Sequence, residues 1–382
     1  MKVLQIARQF YPSVGGVERF VHSLSRHLIQ RGHHVAVVTL NRCFYLNRDL
    51  PSRDIVEEIE VYRIPYWGRQ RLFLAPGVLR FVRNYDLLHI HNVDFFLDFL
   101  ALTKWWHRKP IILSTHGGFF HTRRLAFLKQ QYFNLVTRLT IKAVNAVVAD
   151  SSHDWRLFSR ITDKVVQIDN GIDFSDFSDI IKNPIPGLLV YVGRLASNKR
   201  VDNLIRAFAL VQARYPSARL IIIGADFEGI QPDLEQMADK LGVAANVMFT
   251  GVVNQEELRY YLSRAHLFLS ASEYEAFGIS VLEAMSCGTV PVVNDIDPFR
   301  TIIIHGENGF LVDFSNPNLA ADVILDALFM DEHNLQDMGV KAQSVARLYS
   351  WENVVIKFEK LYSKVLEQCQ RNKEYGRLIL TR

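Results

Sequence analysis

A chain of 382 residues, at roughly 100 to 200 residues per domain, has room for two folded domains with separate cores. With 49% hydrophobic and 22% charged residues, and only 20 Gly and 12 Pro scattered along it, the composition excludes a disordered or fibrous protein. The formal charge of +4 is divided unevenly: residues 1–186 carry 25 Lys+Arg against 16 Asp+Glu, or +9, while residues 187–382 carry 19 against 24, or −5. A basic first half suggests anionic lipid, a pyrophosphate or nucleic acid as partner, and the motifs below favour the first two.

No apolar run approaches the roughly 18 residues that cross a bilayer, and the segment Met1 to Ser13 lacks a small-residue cleavage site, so secretion is not expected. Cys43, Cys287 and Cys369 lie far apart, without the spacing of a zinc site or a disulfide framework, which predicts reduced thiols in a cytoplasmic setting.

The first elements are a strand from Val3 to Ala7, a helix from Gly16 to Arg31 and a strand from Val35 to Thr39, a βαβ rhythm that predicts parallel strands under covering helices. Pro12-Ser-Val-Gly15-Gly16-Val-Glu18 joins the first strand to the first helix. Adjacent glycines there let backbone N–H groups approach a phosphate, although a simple tight turn would use the same residues. The GxGxxG of a dinucleotide fold is absent, which disfavours a nicotinamide cofactor.

The rhythm continues through strands Val61 to Ile64, Leu87 to His91, Ile111 to Thr115 and Ala146 to Asp150. Helical stretches fall around Pro76 to Arg83, Asp98 to His107 and Leu125 to Ala143. His89 and His91 end one strand and read equally well as packed side chains. His116, at the end of another and followed by Gly117-Gly118, is the better candidate for bonding a ligand hydroxyl. From Arg123 to Lys142, Leu125, Leu128, Tyr132, Leu135 and Leu139 recur at helical spacing beside Arg123, Arg124, Lys129, Arg138 and Lys142. Both a helix packed on its own sheet and a surface that docks on an anionic membrane fit this pattern.

The breaker-rich segment 168–187 reads as a linker between a first domain, 1–167, and a second, 188–350, with a terminal helix in 351–382 that packs back on the first. The second βα series starts at Leu188. The fold class predicted is α/β, with two doubly wound Rossmann-like domains facing across a cleft that is the default ligand site. Gly193-Arg194-Leu-Ala-Ser-Asn-Lys199 follows a strand and puts two cations where they can neutralise a diphosphate.

The strongest signal is Glu275-Ala-Phe277-Gly278-Ile279-Ser-Val-Leu-Glu283. A helix opening near Gly278 offers free N–H groups and its dipole to an anion, while the two carboxylates can accept hydrogen bonds from hydroxyls. A nucleoside diphosphate sugar fits: diphosphate at the helix terminus, Glu275 on the sugar, Glu283 on the ribose. Asp295-Ile-Asp297 is formally a DxD, the carboxylate pair that holds Mn or Mg under a diphosphate, but Arg194 and Lys199 already supply the cations, so no metal is expected.

Taken together, Gly15-Gly16, His116-Gly117, Arg194 with Lys199, and Glu275-x7-Glu283 followed by Gly288-x2-Pro291 resemble retaining glycosyltransferase family 4, of GT-B fold, along almost the whole chain. Within it, Asn92 to Lys104 and Ser114 to Thr122 are similar to the mannosyltransferases of exopolysaccharide assembly. The resemblance implies transfer of mannose from GDP-mannose, in α-1,3 linkage, to cellobiosyl-diphosphopolyprenol, without a metal, on the inner face of the cell membrane. It also implies that Glu275, Phe277, Gly278 and Ile279 contact sugar and diphosphate, Glu283 the ribose, Arg194 and Lys199 the diphosphate, Gly15 and Gly16 the phosphate from the opposite domain, and His116 the sugar. His121, Arg123 and Arg124 are the candidates on the acceptor side. Two positions depart from the family pattern: Arg200, where many relatives have Gly, and Asn294-Asp-Ile-Asp297, where they have a Gly-rich turn. Three other functions remain open at this level: transfer from a UDP-sugar, a non-catalytic nucleotide-sugar sensor, and an epimerase or hydrolase on the same scaffold.

Overall fold

The computed structural model describes residues 1–13, 15–70, 72–117 and 126–380. The chain forms two compact units, one of residues 1–171 with 351–382, the other of residues 172–350. The division after Gly171 falls within the 168–187 segment, where the only regular element is a single helical turn, Ser175–Ser178.

In the first unit an eight-stranded sheet runs in the order Val165–Gln167, Ala146–Ala149, Ile111–Ser114, Leu87–His91, Lys2–Ile6, His34–Leu40, Ile59–Ile64, Arg53–Val56. Every pair is parallel except the last. These strands are β-branched and apolar on both faces because both faces are covered. Val3, Leu87, Ile112 and Val148 enter one core with Leu24 and Leu28 of the helix Gly16–Gln30, while Leu4, Leu88, Leu113 and Val147 enter the other with Phe96 and Leu97. The final helix, Trp351–Leu380, lies on the first of these faces. It buries Trp351, Val354, Val355, Phe358, Tyr362 and Val365, a helical stripe, and its Glu359 pairs with Arg31 (2.8 Å) and His33 (2.7 Å).

Two local readings of the sequence need correction. The helix expected over Asp98 to His107 is two pieces, Phe95–Leu102 and Lys104–His107. It starts early because Asp94 caps it, its Oδ1 accepting from the Phe96 N–H at 2.9 Å. The strand Arg53–Val56 escaped notice because its hairpin turn is Glu57-Glu58, both at positive φ (45° and 71°), without the Asn-Gly that normally marks such a turn.

The second unit has a six-stranded, wholly parallel sheet in the order Val247–Gly251, Arg219–Ile223, Leu188–Val192, Leu267–Ser270, Val290–Asn294, Phe310–Val312. Leu189, Tyr191, Leu220 and Leu267 pack under the helices Val201–Arg214 and Pro317–Leu328. Val190, Ile221, Phe268 and Val293 pack under Ile279–Ser286 and Glu332–Leu348. In both sheets the first strand of the series is central and the chain winds outward first to one side and then to the other. The second sheet has the 3-2-1-4-5-6 order of a Rossmann fold; the first keeps this winding but adds the antiparallel hairpin strand Arg53–Val56 at one edge and a further parallel strand, Val165–Gln167, at the other. The place where the winding reverses leaves a crevice at the C-terminal strand ends. It lies between Leu188–Val192 and Leu267–Ser270 in the second unit, and between Lys2–Ile6 and Leu87–His91 in the first.

Candidate active site

In the second unit the loops leaving those two strands are 193–200 and 271–278, and they are tied to each other. The Glu273 N–H donates to the Asn198 carbonyl (3.0 Å), Asn198 Nδ2 to the Tyr274 carbonyl (3.2 Å), and Lys199 Nζ to Glu275 Oε1 (2.6 Å); Arg200 pairs with Glu273. Lys199 and Glu275, which sequence reasoning assigned to separate parts of a donor, thus form one ion pair, with side chains only 13% and 16% exposed. An ion pair shielded to this degree is held in place, and two of the three ammonium hydrogens stay free for a ligand.

Arg194 is exposed, with its guanidinium 4.7 Å from the centre of the Phe227 ring, and its carbonyl lies 3.4 Å from the Tyr191 hydroxyl. Burial, and then the charge of Glu275, push the Tyr191 phenol above its ordinary range, so it remains a neutral donor to this loop. Gly224, at φ 144°, underlies the same loop: a Cβ there would meet the Gly193 carbonyl oxygen at 2.0 Å. Arg200 occupies left-handed backbone (φ 48°), a turn that glycine makes without steric cost, which gives the family's glycine its physical reason. Here the side chain is fastened by Asp202 (3.0 Å), Asn203 (3.2 Å) and Glu273.

Gly278 caps the helix Ile279–Ser286 at φ 99°, and a Cβ on it would stand 2.8 Å from the Phe299 ring. Phe277 is buried edge-on against Tyr349, Ile279 is exposed, and Glu283 sits half-buried on the helix. The helix therefore opens beside Glu275 and Lys199, with its N-terminus available to an anion. Asp295 and Asp297 both pair with Arg300 (2.6 and 3.3 Å), so the formal DxD is engaged by a cation of the chain itself. Among the described residues no group of three His, Cys, Asp or Glu is placed to hold a metal ion.

In the first unit, Gly15 is the N-cap of the helix Gly16–Gln30. The Glu18 carboxylate folds back to within 2.5 Å of where a Gly15 Cβ would be, whereas the space about Gly16 is open. His116 lies at φ 49°, a strained conformation for a histidine, at the end of a polar chain. Gln5 Oε1 meets His91 Nε2 (2.8 Å), His91 Nδ1 meets His116 Nε2 (2.9 Å), and His116 Nδ1 lies 3.6 Å from Asp150 Oδ2, beyond hydrogen-bond range. With the Gln5 oxygen accepting from His91 Nε2–H, His91 Nδ1 accepts from His116 Nε2–H, which sets the tautomers.

Burial holds His89 and His91 well below the usual imidazole range. His89 bridges Tyr362 (2.7 Å) and Ser114 (2.8 Å) and is a packed histidine. Asp154 accepts from Thr115 Oγ1 (2.5 Å) and the Gly117 N–H (2.8 Å), fixing the turn behind His116. Burial and neighbouring Asp150 push its carboxyl up to about 6. Burial works in the same direction on Asp150, but His116 outweighs it and holds that carboxyl low. Sequence reasoning missed Arg8, Asp94, Asp150 and Asp154, which no motif marks. Of the residues expected on the acceptor side, His121, Arg123 and Arg124 lie outside the described residues.

Two doubly wound Rossmann-like units, one carrying a cation, carboxylate and helix-terminus cluster at its switch point, define a nucleotide-sugar glycosyltransferase of GT-B fold. Residues 14–176 match the model for Glycosyltransferase Family 4 and residues 175–345 that for Glycosyl transferases group 1, and the chain belongs to this family. It is 34% identical over 373 residues to the GDP-mannose:cellobiosyl-diphosphopolyprenol alpha-mannosyltransferase of Xanthomonas oryzae pv. oryzae, covering 96% of this chain and 97% of that one. It is 35% identical to the enzyme of the same name from Komagataeibacter xylinus, covering 96% and 94%. Among solved structures, Anabaena HepE in complex with UDP superposes with a TM-score of 0.74 at 21% identity, over 95% of this chain and 100% of that one, a likeness of fold.

Proposed function

We propose that this glycosyltransferase moves mannose, with retention of configuration, from GDP-mannose to cellobiose carried on a polyprenol diphosphate, in α-1,3 linkage, as a step of exopolysaccharide assembly. The observation that carries the transfer chemistry is the convergence of Lys199, Glu275 and the Gly278 helix opening at one switch point. The substrates follow from the near-full-length similarity to mannosyltransferases of that name.

The departing diphosphate gains charge as the glycosidic bond stretches. Lys199, Arg194 and the N-terminus of the helix Ile279–Ser286 stabilise that charge in fixed positions, so they favour the transition state over bound donor. Glu275 holds both the sugar hydroxyls and the Lys199 ammonium, and Glu283 accepts from the ribose. Gly15 and Gly16 admit phosphate oxygens to backbone N–H groups, and His116 Nδ1 bonds the sugar. A leaving phosphate oxygen takes the acceptor's proton on the face that the nucleotide leaves. No metal enters this scheme, since its electrostatic role falls to the two cations and the backbone.

A lipid-borne acceptor requires that the enzyme work at a bilayer. Among the described residues no helix is long and apolar enough to cross a membrane. The segment 126–143 buries Phe133, Thr137, Thr140 and Ile141 against the first unit and leaves Phe127, Leu135 and Leu139 exposed (73%, 63% and 65%), with exposed Arg138 and Lys142 beside them. An apolar stripe flanked by cations supports peripheral docking on the anionic inner face of the cell membrane.

The decisive experiment presents labelled GDP-mannose, UDP-glucose and UDP-galactose separately to the enzyme with cellobiosyl-diphosphopolyprenol, with and without EDTA, and determines the linkage formed. One α-1,3-mannosyl product, insensitive to EDTA, is expected. A product from a UDP-sugar alone would transfer the reading to another donor, nucleotide binding without product would make the protein a sensor, and loss of transfer in EDTA would overturn the metal-free scheme.

A further inference from the structure

At the switch point of the first sheet the chain leaves Lys2–Ile6 through Ala7 and Arg8, and leaves Leu87–His91 through Asn92, Val93 and Asp94. Parallel pairing of Ile6 with Ile90 brings these two exits side by side. Asp94 spends one oxygen on the cap of Phe95–Leu102. Its other oxygen, Oδ2, is shut off from solvent and has no hydrogen-bond partner among the described residues. Arg8 is near enough to stabilise the carboxylates of both Asp94 and Glu18, yet its Nε is likewise buried and without a partner.

Such groups are expensive. A buried polar atom left unsatisfied costs about 1–3 kcal/mol, more if charged, and folded proteins retain few of them. The cap does not explain the arrangement, because asparagine caps a helix as well as aspartate without burying a charge. Nor is it an ion pair, since Arg8 and Asp94 are not hydrogen-bonded to each other. One guanidinium within reach of two carboxyl groups is also a poor phosphate site, because any charge those carboxyls carry repels the anion. What remains is an unpartnered donor and an unpartnered acceptor on two half-buried side chains, the complement of a neutral polyhydroxyl ligand.

We propose that Arg8 and Asp94, both only half-buried as residues, turn their unpartnered atoms outward to bind the saccharide of the acceptor, Asp94 Oδ2 accepting a hydrogen bond from one hydroxyl and Arg8 Nε–H donating to the neighbouring sugar oxygen. The inference rests on the glycosyltransferase reading above and adds to it the side chains that recognise the acceptor sugar. Asp94 takes no part in bond breaking; it sets which hydroxyl is presented.

The test uses the full-length protein, GDP-mannose and phytanyl-diphosphate-linked cellobiose. Asp94→Asn keeps the helix cap, and Arg8→Gln keeps a side chain of similar length; each should raise the acceptor KM by at least about tenfold, one hydrogen bond's worth, with the KM for GDP-mannose unchanged within about twofold. With a series of monodeoxy cellobiose acceptors, removal of one particular hydroxyl should penalise the wild type but not Asp94→Asn. Unchanged acceptor KM in both variants, an equal rise in donor KM, or identical deoxy profiles would each overturn the assignment. If the wild type itself fails to glycosylate the saccharide, it is the functional reading that falls, and this inference with it.

Discussion

Asp94 also makes a prediction about stability that needs no substrate. Burial, aided by the charge of Asp98 and opposed by Arg8 and the Phe96 N–H, pushes its carboxyl up to about 7 from the ordinary 3.8. An acid raised in this way keeps its proton in the folded state after the unfolded chain has lost it. The folded state is therefore favoured at low pH, and that contribution is lost as pH rises from about 4 through 7. At 1.36 kcal/mol per unit the full penalty above pH 7 is roughly 4 kcal/mol, an upper bound; allowing for the partial exposure of the residue, about 2 kcal/mol is reasonable. Asp94→Asn retains the cap and removes the ionisation. Its stability relative to the wild type should rise by about 1–1.5 kcal/mol between pH 5 and pH 8, a difference in which constant effects of the substitution cancel. Urea unfolding followed by tryptophan fluorescence reads this selectively, because Trp67, Trp105, Trp106, Trp155 and Trp351 all lie in the first unit. Parallel pH curves for the two proteins would refute the reasoning, since Asp94 would then be charged and well partnered in the fold.

Lys199→Ala should lower turnover by about 100-fold or more while urea unfolding stays within about 1 kcal/mol of wild type; unaltered turnover would remove Lys199 from the reaction. Gly278→Ala places a Cβ 2.8 Å from the Phe299 ring on left-handed backbone, so it should cost about 1–3 kcal/mol and weaken donor binding, measured by thermal unfolding with and without GDP. Phe358→Ala opens a cavity beneath the terminal helix and should destabilise the first unit by about 3–5 kcal/mol, read by the same tryptophan signal. Leu135→Ser with Leu139→Ser should abolish co-sedimentation with anionic vesicles while transfer to a water-soluble acceptor persists; binding that responds to neither the substitutions nor salt would dismiss this surface.

Much of the donor-side chemistry is written in contiguous residues. Glu275 and Gly278 lie on one strand-to-helix connection with Glu283 in the helix it opens, and Arg194 and Lys199 lie on another, so local rules of turns, helix termini and charge suffice to select them. The alternation of buried strands and covering helices likewise dictates two α/β units, because a parallel strand must hide both faces. Sequence could not show that Lys199 and Glu275 would pair, that Arg300 would claim Asp295 and Asp297, or that Leu135 and Leu139 would be left outside while Phe133 and Ile141 went in. Each of these depends on which loops and faces the sheet order brings together. Arg8 and Asp94 are the clearest case: nothing in either segment marks them, and they become neighbours only because Lys2–Ile6 pairs with Leu87–His91. Their unsatisfied atoms are a product of burial, and burial is a property of the folded chain alone.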